Sequence, residues 1–173
     1  LDKYYSENPL PSSQLPKKYN YVLDGTGVDF ISAEKVHYRH GEFCDKNGIK
    51  FIHISTDHFF HNEGPKAHSE DDDVKILNNY AKTKFLAEME LKNFNNTLIL
   101  RTSIVGRSKE GKNFLDWIMQ SIEQKKKVGL YVDAYTSFIH CNQLSRLIFD
   151  LANKNAAGLY NLGSSEVFSK AEI

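Results

Sequence analysis

Tyr80 and Lys84 lie four residues apart, so on a helix their side chains would share one face. A phenol titrates at about 10 in water, and an ammonium group within about 4–6 Å lowers that pKa by favouring the phenolate. We therefore predict that Lys84 lowers the pKa of Tyr80. A tyrosine tuned in this way can give a proton to a carbonyl oxygen or take one from an alcohol. This is the chemistry required when a hydride adds to a ketone.

The spacing of the pair is weak evidence by itself. A chain with nine tyrosines and many lysines is expected to contain a Tyr-x-x-x-Lys pair by chance. The alternative interpretation is a solvated pair on the surface of an amphipathic helix. Thr56, a hydroxyl at a neighbouring strand end, could hold the same carbonyl oxygen, so the elements that position all three residues decide between the two interpretations.

Strands and helices alternate along the chain. Short apolar or β-branched runs predict strands at 21–24, 51–54, 98–100, 128–132 and 158–162. Periodicity and capping residues predict helices at 32–46, 80–93, 113–127 and 142–152, with Trp117 on the apolar stripe of the third and therefore in the core. The strands are continuous apolar runs, which favours an α/β fold with a parallel sheet covered by helices on both faces.

Small and polar residues follow three of the predicted strands, at 24–26, 55–57 and 101–103. In parallel α/β sheets, ligands bind at the carboxyl ends of the strands. Thr56 and Asp57 would lie at that edge, beside the helix that carries Tyr80 and Lys84. The sequence therefore predicts a ligand site there.

Composition excludes several other classes of protein. Basic and acidic residues balance at 22 each, so no net charge recruits nucleic acid or an anionic membrane. No apolar run approaches the roughly 20 residues needed to cross a bilayer. Two cysteines, Cys44 and Cys141, are too few for a disulfide framework, so we expect a cytoplasmic protein in which both thiols are inert. The chain opens at Leu1 and ends in a capping box at Ser169–Glu172, and we expect a piece of a longer protein.

Several motifs in correct order resemble the dTDP-4-dehydrorhamnose reductase family of extended short-chain dehydrogenases/reductases. Phe51–Asp57 is similar to that family's strand and Ser-Thr-Asp segment, and Tyr80 follows Thr56 at the family's spacing of 80 − 56 = 24 residues. Asn78–Lys84 resembles the start of the family's Tyr-x-x-x-Lys helix. The strand and loop at 98–106, the late strand at 158–163 and the helix start at 169–170 are also similar, so the resemblance runs from about Lys35 to the end.

The resemblance implies a Rossmann-like domain, of which residues 1–106 would be the C-terminal part, followed by a small, incomplete substrate-binding lobe at 107–173. The family reduces a 4-keto group on a 6-deoxy sugar nucleotide with NADPH or NADH. By resemblance, Tyr80 is the general acid, Lys84 tunes it and binds the nicotinamide ribose, and Thr56 orients the substrate carbonyl.

Further site residues follow from the same resemblance. Thr102, Ser103 and Ile104 would line the nicotinamide pocket, and Gly25 and Thr26 match the loop near the cofactor's diphosphate. Thr56, Asp57 and Ile104 would contact the substrate. The implied partners are a nucleotide-sugar substrate and a second copy in a homodimer.

The chain departs from the family at several positions, which keeps other functions open. The glycine-rich turn of the cofactor site would lie before Leu1, and Asp24 begins a segment that is usually Asn-Ala-Ala. His58 and Ile104 replace aromatic residues on the substrate side. One alternative is an epimerase or dehydratase of the same superfamily that holds NAD permanently. Another is a non-catalytic nucleotide-binding or regulatory module, which Asp24 favours and the Thr56, Tyr80 and Lys84 set opposes.

Histidines and acids in the middle of the chain raise the question of a metal. His53 alternates into a strand and is expected in the core, while His58, His61 and His68 lack a tight ligand spacing, so we predict no metal ligands among them. The acidic run at 70–73 is interpreted as a solvated loop before the Tyr80 helix. A weak Mg²⁺ site at this run is the alternative.

Overall fold

The computed structural model describes residues 21–24, 33–60, 64–108 and 111–172. Within these residues, five strands form one sheet whose pairings are all parallel: β1 (Tyr21–Asp24), β2 (Lys50–Ile54), β3 (Thr97–Val105), β5 (Phe138–His140) and β6 (Gly158–Leu162). The helices are α1 (Ala33–Lys46), α2 (Asn79–Leu91), α3 (Phe114–Glu123) and α4 (Cys141–Asn153). A 3₁₀ turn spans His58–Phe60, and the short strands β4 (Tyr135–Thr136) and β7 (Phe168–Ser169) form a separate antiparallel ribbon.

Strand β3 lies at the centre of the sheet. Its first half pairs with β2 and with β6, and its last three residues pair with β5. The first six residues of β3 are all buried, as expected for a strand with helices on both sides. The predicted α/β fold with a parallel sheet is therefore confirmed.

Each face of the sheet has its own core because successive side chains of a strand point to opposite faces. On one face, Ile52, Leu98 and Leu100 pack with residues of β5 and α4. On the other, Phe51 and Ile99 pack with residues of α1 and α2. Burial raises the pKa of the Cys44 thiol in this second core to about 11, so the thiol stays protonated and inert at neutral pH.

The structure corrects three details of the prediction. Residues 128–132 form no strand, and α3 ends at Glu123 instead of reaching Lys127. Trp117 is 43% exposed and does not belong to the core. The division at residue 106 stays a prediction, although β5 and β6 lie beyond it and extend the same sheet.

Among the described residues, no helix combines the length and the apolar character that a membrane span requires.

Helices α1 and α2 approach each other closely at Gly41. A β-carbon at this position would lie 2.6 Å from a ring carbon of Phe94 and 3.0 Å from a methyl carbon of Leu91. Alanine normally favours a helix by about 1 kcal/mol over glycine, but overpacking a core costs about 1–3 kcal/mol. The close approach therefore requires glycine.

We predict that Gly41→Ala lowers the free energy of unfolding by about 1 kcal/mol, because the overpacking outweighs the gain in helix propensity. Chemical denaturation monitored by circular dichroism measures the change. Gly129→Ala is the matched control, since a β-carbon there meets nothing within 4 Å. Equal or greater stability of Gly41→Ala would show that α1 and α2 separate without cost.

Candidate active site

The carboxyl ends of β2 and β3 form the edge on which the candidate site is built. The two strands pair in register from Phe51 opposite Thr97 to Ile54 opposite Leu100, and the backbone N–H of Ser55 continues the pairing by donating to the Leu100 carbonyl. Thr56 and Thr102, the predicted site residues that follow, are both buried. The hydrogen bonds between the strands thus fix the two hydroxyls at one edge.

Helix α2 begins where the sequence predicts it, beside this edge. The side chain of Asn78 caps the helix by accepting a hydrogen bond from the Ala81 N–H at 2.7 Å. This cap places Tyr80 in the first turn, where its ring contacts the ring of His58 edge-on at a centroid distance of 5.2 Å. The cap therefore determines where the tyrosine meets the sheet.

The structure brings together Thr56, Tyr80 and Lys84. The Thr56 hydroxyl accepts from the His58 backbone N–H at 3.2 Å and lies close enough to Tyr80 to lower the pKa of its phenol. One turn further along α2, the buried Lys84 ammonium donates to the Ile54 carbonyl at 2.9 Å. The spatial grouping inferred from sequence spacing is present in the fold.

The pKa of Tyr80 is raised above its ordinary value, and the prediction that it is lowered was wrong. Burial of the hydroxyl is the largest cause, the hydrogen bond from Thr56 acts in the opposite direction, and the negative charge of Asp57 adds to the increase. Lys84 is directed to the strand carbonyl instead. Tyr80 therefore holds its proton at neutral pH, as a proton donor must.

Asp57 connects this edge of the sheet to the far end of the chain. Its carboxylate accepts a hydrogen bond from the Thr136 hydroxyl of β4. The positive charge of Lys170 acts on the same carboxylate, and its ammonium lies 4.4 Å from the ring centroid of Phe138. Burial lowers the pKa of Lys170, and the charge of Asp57 partly offsets that effect.

A pocket of about 400 Å³ opens beside Asp57. Its walls come from residues within 64–68, 135–137 and 161–167 and from Arg101 of β3. Most of the wall side chains carry hydroxyl, amide or charged groups, which is typical of a site for a polar ligand with many hydrogen-bonding groups. Of the predicted site residues that the structure describes, only Asp57 lines it, so Thr56 and Tyr80 lie outside the pocket.

A buried ion pair lies behind the edge. Arg101 donates to Glu88 of α2 through two nitrogens, from Nε to Oε1 at 3.1 Å and from Nη2 to Oε2 at 2.7 Å. The Ser55 hydroxyl donates to Oε1 of the same carboxylate at 2.5 Å, and Arg101 lies over the Phe59 ring at 5.0 Å. The sequence analysis missed this network, although Glu88 follows Tyr80 and Lys84 at the same four-residue spacing.

The remaining predicted cofactor residues differ in whether the structure describes them and in how deeply they are buried. Gly25 and Thr26 lie outside the described residues. The Thr102 hydroxyl is buried and, within the part of the chain that the structure describes, has no hydrogen-bond partner, while Ile104 is 50% exposed. A polar group that needs a partner and an exposed apolar side chain on one strand fit a nicotinamide ring with its carboxamide. Ser103 is half-buried between them.

The acidic run does not form a metal site. Glu70 accepts from the Asn161 backbone N–H at 2.7 Å, and Asp72 accepts from the Ser69 hydroxyl and contacts His68 at 3.0 Å. Over the described residues, no group of three or more His, Cys, Asp or Glu side chains could hold a metal ion. Glu70 instead holds the loop before α2 against β6, and Asp72 makes its contacts within that loop.

Comparisons with known proteins agree with the motifs. The family model of the RmlD substrate binding domain matches residues 30–173. The dTDP-4-dehydrorhamnose reductase of Salmonella typhimurium is 30% identical over 147 residues, which cover 82% of this chain and 46% of that protein. The spore coat polysaccharide biosynthesis protein SpsK of Bacillus subtilis is 24% identical over 155 residues, 88% of this chain and 50% of that protein. The chain thus spans about half the length of the curated relatives it matches.

Solved structures share the fold. A dTDP-4-dehydrorhamnose reductase from Yersinia enterocolitica superposes with a TM-score of 0.73 at 20% identity, covering 87% of this chain and 58% of that one. A dTDP-glucose 4,6-dehydratase from Bacillus anthracis, in complex with NAD, gives 0.74 at 16% identity, covering 88% and 54%. The likeness confirms the predicted Rossmann-like architecture.

We predict opposite effects on the pKa of Tyr80 from two substitutions at this edge. Asp57→Asn removes a negative charge that disfavours the phenolate, so the pKa falls. Thr56→Val removes the hydrogen bond that favours the phenolate, so the pKa rises. Titration of phenolate absorbance, with Tyr80→Phe as the difference reference, measures both. Shifts in the same direction would contradict the described environment.

Proposed function

Because the chain belongs to the family of the RmlD substrate binding domain, we propose that it is part of an NAD(P)H-dependent oxidoreductase that reduces a 4-keto-6-deoxy sugar nucleotide. The observation that carries the proposal is the placement of Thr56 together with Tyr80 and Lys84 of α2 at the carboxyl edge of the sheet. A proton donor and a second hydroxyl at one point suit a carbonyl oxygen. A protein that only binds nucleotide has no need for this pair.

The reaction divides between the cofactor and the chain. When bound, the nicotinamide supplies the hydride that adds to the carbonyl carbon. Tyr80 gives its proton to the carbonyl oxygen as the alcohol forms, and the resulting phenolate regains a proton from solvent. Thr56 orients the carbonyl oxygen toward that proton. Lys84 would hold the ribose of a bound cofactor, and Thr102, Ser103 and Ile104 would line the place of its nicotinamide.

The polar pocket supports the substrate class. Asp57, the residue after Thr56, is one of its lining residues. The other walls contain hydroxyl and amide groups from 135–137 and 161–167. Hydroxyl groups of a sugar both donate and accept hydrogen bonds, so a mixed wall of this kind suits them. We assign the pocket to the part of the substrate beyond its carbonyl, with Asp57 and Ile104 on the substrate side.

The similar proteins include enzymes that catalyse other reactions, and an epimerase or dehydratase is therefore the alternative to a reductase. One solved relative is a UDP-N-acetylglucosamine 4-epimerase from Bacillus cereus, with a TM-score of 0.68 at 16% identity, covering 88% of this chain and 59% of that one. An epimerase or dehydratase regenerates its own cofactor, so the purified protein would carry NAD. Denaturing the protein and assaying the supernatant for NAD separates this alternative from a reductase.

We predict that Tyr80→Phe, in the complete natural protein, lowers kcat for NADPH-dependent reduction of a dTDP-4-keto-6-deoxy sugar by at least about a hundredfold. Loss of the proton donor is the reason, and NADPH absorbance is the measurement. Tyr131→Phe is the matched control, because Tyr131 is 73% exposed. Binding of NADPH, followed by nicotinamide fluorescence, should weaken in Lys84→Met and stay unchanged in Tyr131→Phe.

The pH dependence follows from the raised pKa of Tyr80. The protonated tyrosine is the active form in reduction, so kcat should stay level between about pH 7 and 9 and fall only as the tyrosine ionises. Wild-type turnover in Tyr80→Phe would refute the mechanism. Failure of the natural protein to bind NADPH or NADH at millimolar concentration would leave a non-catalytic module.

A further inference from the structure

The Glu88–Arg101 ion pair is far more deeply buried than the proposed proton donor, Tyr80. Glu88 is 0% exposed and Arg101 is 3% exposed, against 47% for Tyr80. Removing two charges from water is costly, and a buried ion pair often stabilises a fold no better than apolar side chains of the same volume. Stability alone is therefore a poor explanation for this pair.

The ion pair fixes the position of Glu88 relative to Arg101. Arg101 binds the carboxylate through two nitrogens, and a two-pronged contact of this kind fixes orientation as well as distance. The carboxylate of Glu88 in turn accepts from Ser55, the residue immediately before Thr56. The pair therefore joins α2, the end of β2 and the middle of β3 at one point.

Three successive turns of α2 contact three successive residues at the end of β2. Tyr80 contacts Thr56, Lys84 donates to the Ile54 carbonyl, and Glu88 accepts from the Ser55 hydroxyl. Residues four apart share one helix face, so the three side chains lie on the face of α2 that is turned toward β2. The hydrogen bonds of Lys84 and Glu88 determine how far the first turn of α2, which carries Tyr80, extends over the end of β2.

We propose that Glu88, with Arg101 and Ser55, is a positioning group that sets the Tyr80 hydroxyl against Thr56. The inference rests on the proposed function only for its effect on turnover. Arg101 also lines the polar pocket and immediately precedes Thr102. The same group therefore aligns the substrate pocket and the β3 edge with the proton donor.

Ser55→Ala is the sharpest test because it removes one hydrogen bond and leaves the ion pair intact. We expect kcat to fall by about tenfold or more, since misplacement of a reacting group by about 1 Å can cost a factor of about 100. KM for the cofactor should change less than about twofold, because Ser55 contacts neither ligand in the proposed arrangement. Glu88→Gln should act in the same direction and more strongly.

A second readout needs no substrate. If Tyr80 moves away from Thr56, it loses the hydrogen bond that lowers its pKa, so phenolate titration of Ser55→Ala should show a higher pKa for Tyr80, as in Thr56→Val. A purely structural role would leave that value unchanged. Glu90→Gln is the matched control for Glu88→Gln, since it makes the same change on the same helix outside the described network.

The possible outcomes distinguish failure of the proposed function from failure of the positioning inference. If the natural protein reduces no 4-keto sugar nucleotide, the proposed function fails, and the tyrosine titration still decides the positioning inference. If Ser55→Ala and Glu88→Gln leave the Tyr80 titration unchanged and keep wild-type kcat per folded molecule, the inference is overturned, whatever the loss of thermal stability. Should Glu88→Gln fail to fold, Ser55→Ala alone decides.

Discussion

The parallel hydrogen bonding of β3 is the constraint on which the rest of the structure depends. This strand pairs with β2, β5 and β6, and its first six residues are buried on both faces. A strand in that position cannot move without breaking the sheet. The second half of the strand is therefore fixed, and the side chains from Arg101 to Ile104 have their positions determined before any ligand arrives.

The charged residues at the edge of the sheet and those buried beneath it have different roles. At the edge, Asp57 is shared among the Thr136 hydroxyl, the Lys170 ammonium and the neighbouring Tyr80, so its influence depends on contacts from several segments. Beneath the edge, Glu88 and Arg101 satisfy each other in a dry environment where electrostatic interactions are strong. The charge of Asp57 changes the pKa of Tyr80. The Glu88–Arg101 ion pair holds α2 and β3 in their relative positions.

Sequence reasoning located the candidate site but not its support. The start of α2 and the four-residue spacing of Tyr80 and Lys84 were predictable because both are local, and local geometry follows directly from sequence. Trp117 was placed wrongly because periodicity shows which residues share a helix face, not whether another element covers that face. β5 was missed because a strand of three residues, 138–140, has too little pattern. Glu88 and Arg101 were missed because charged residues are normally solvated, and only the tertiary fold shows that these two meet.

The three contacts along α2 restrict how this segment can change in evolution. Because a helix has 3.6 residues per turn, inserting or deleting one residue between Tyr80 and Glu88 would rotate one end against the other by about 100°. The tyrosine and the glutamate could then no longer face the same strand end. Substitutions on the solvent side of this helix remain tolerable, whereas a change of length does not. Relatives that keep the arrangement should therefore vary in length in the loop at 64–77 and not between 80 and 88.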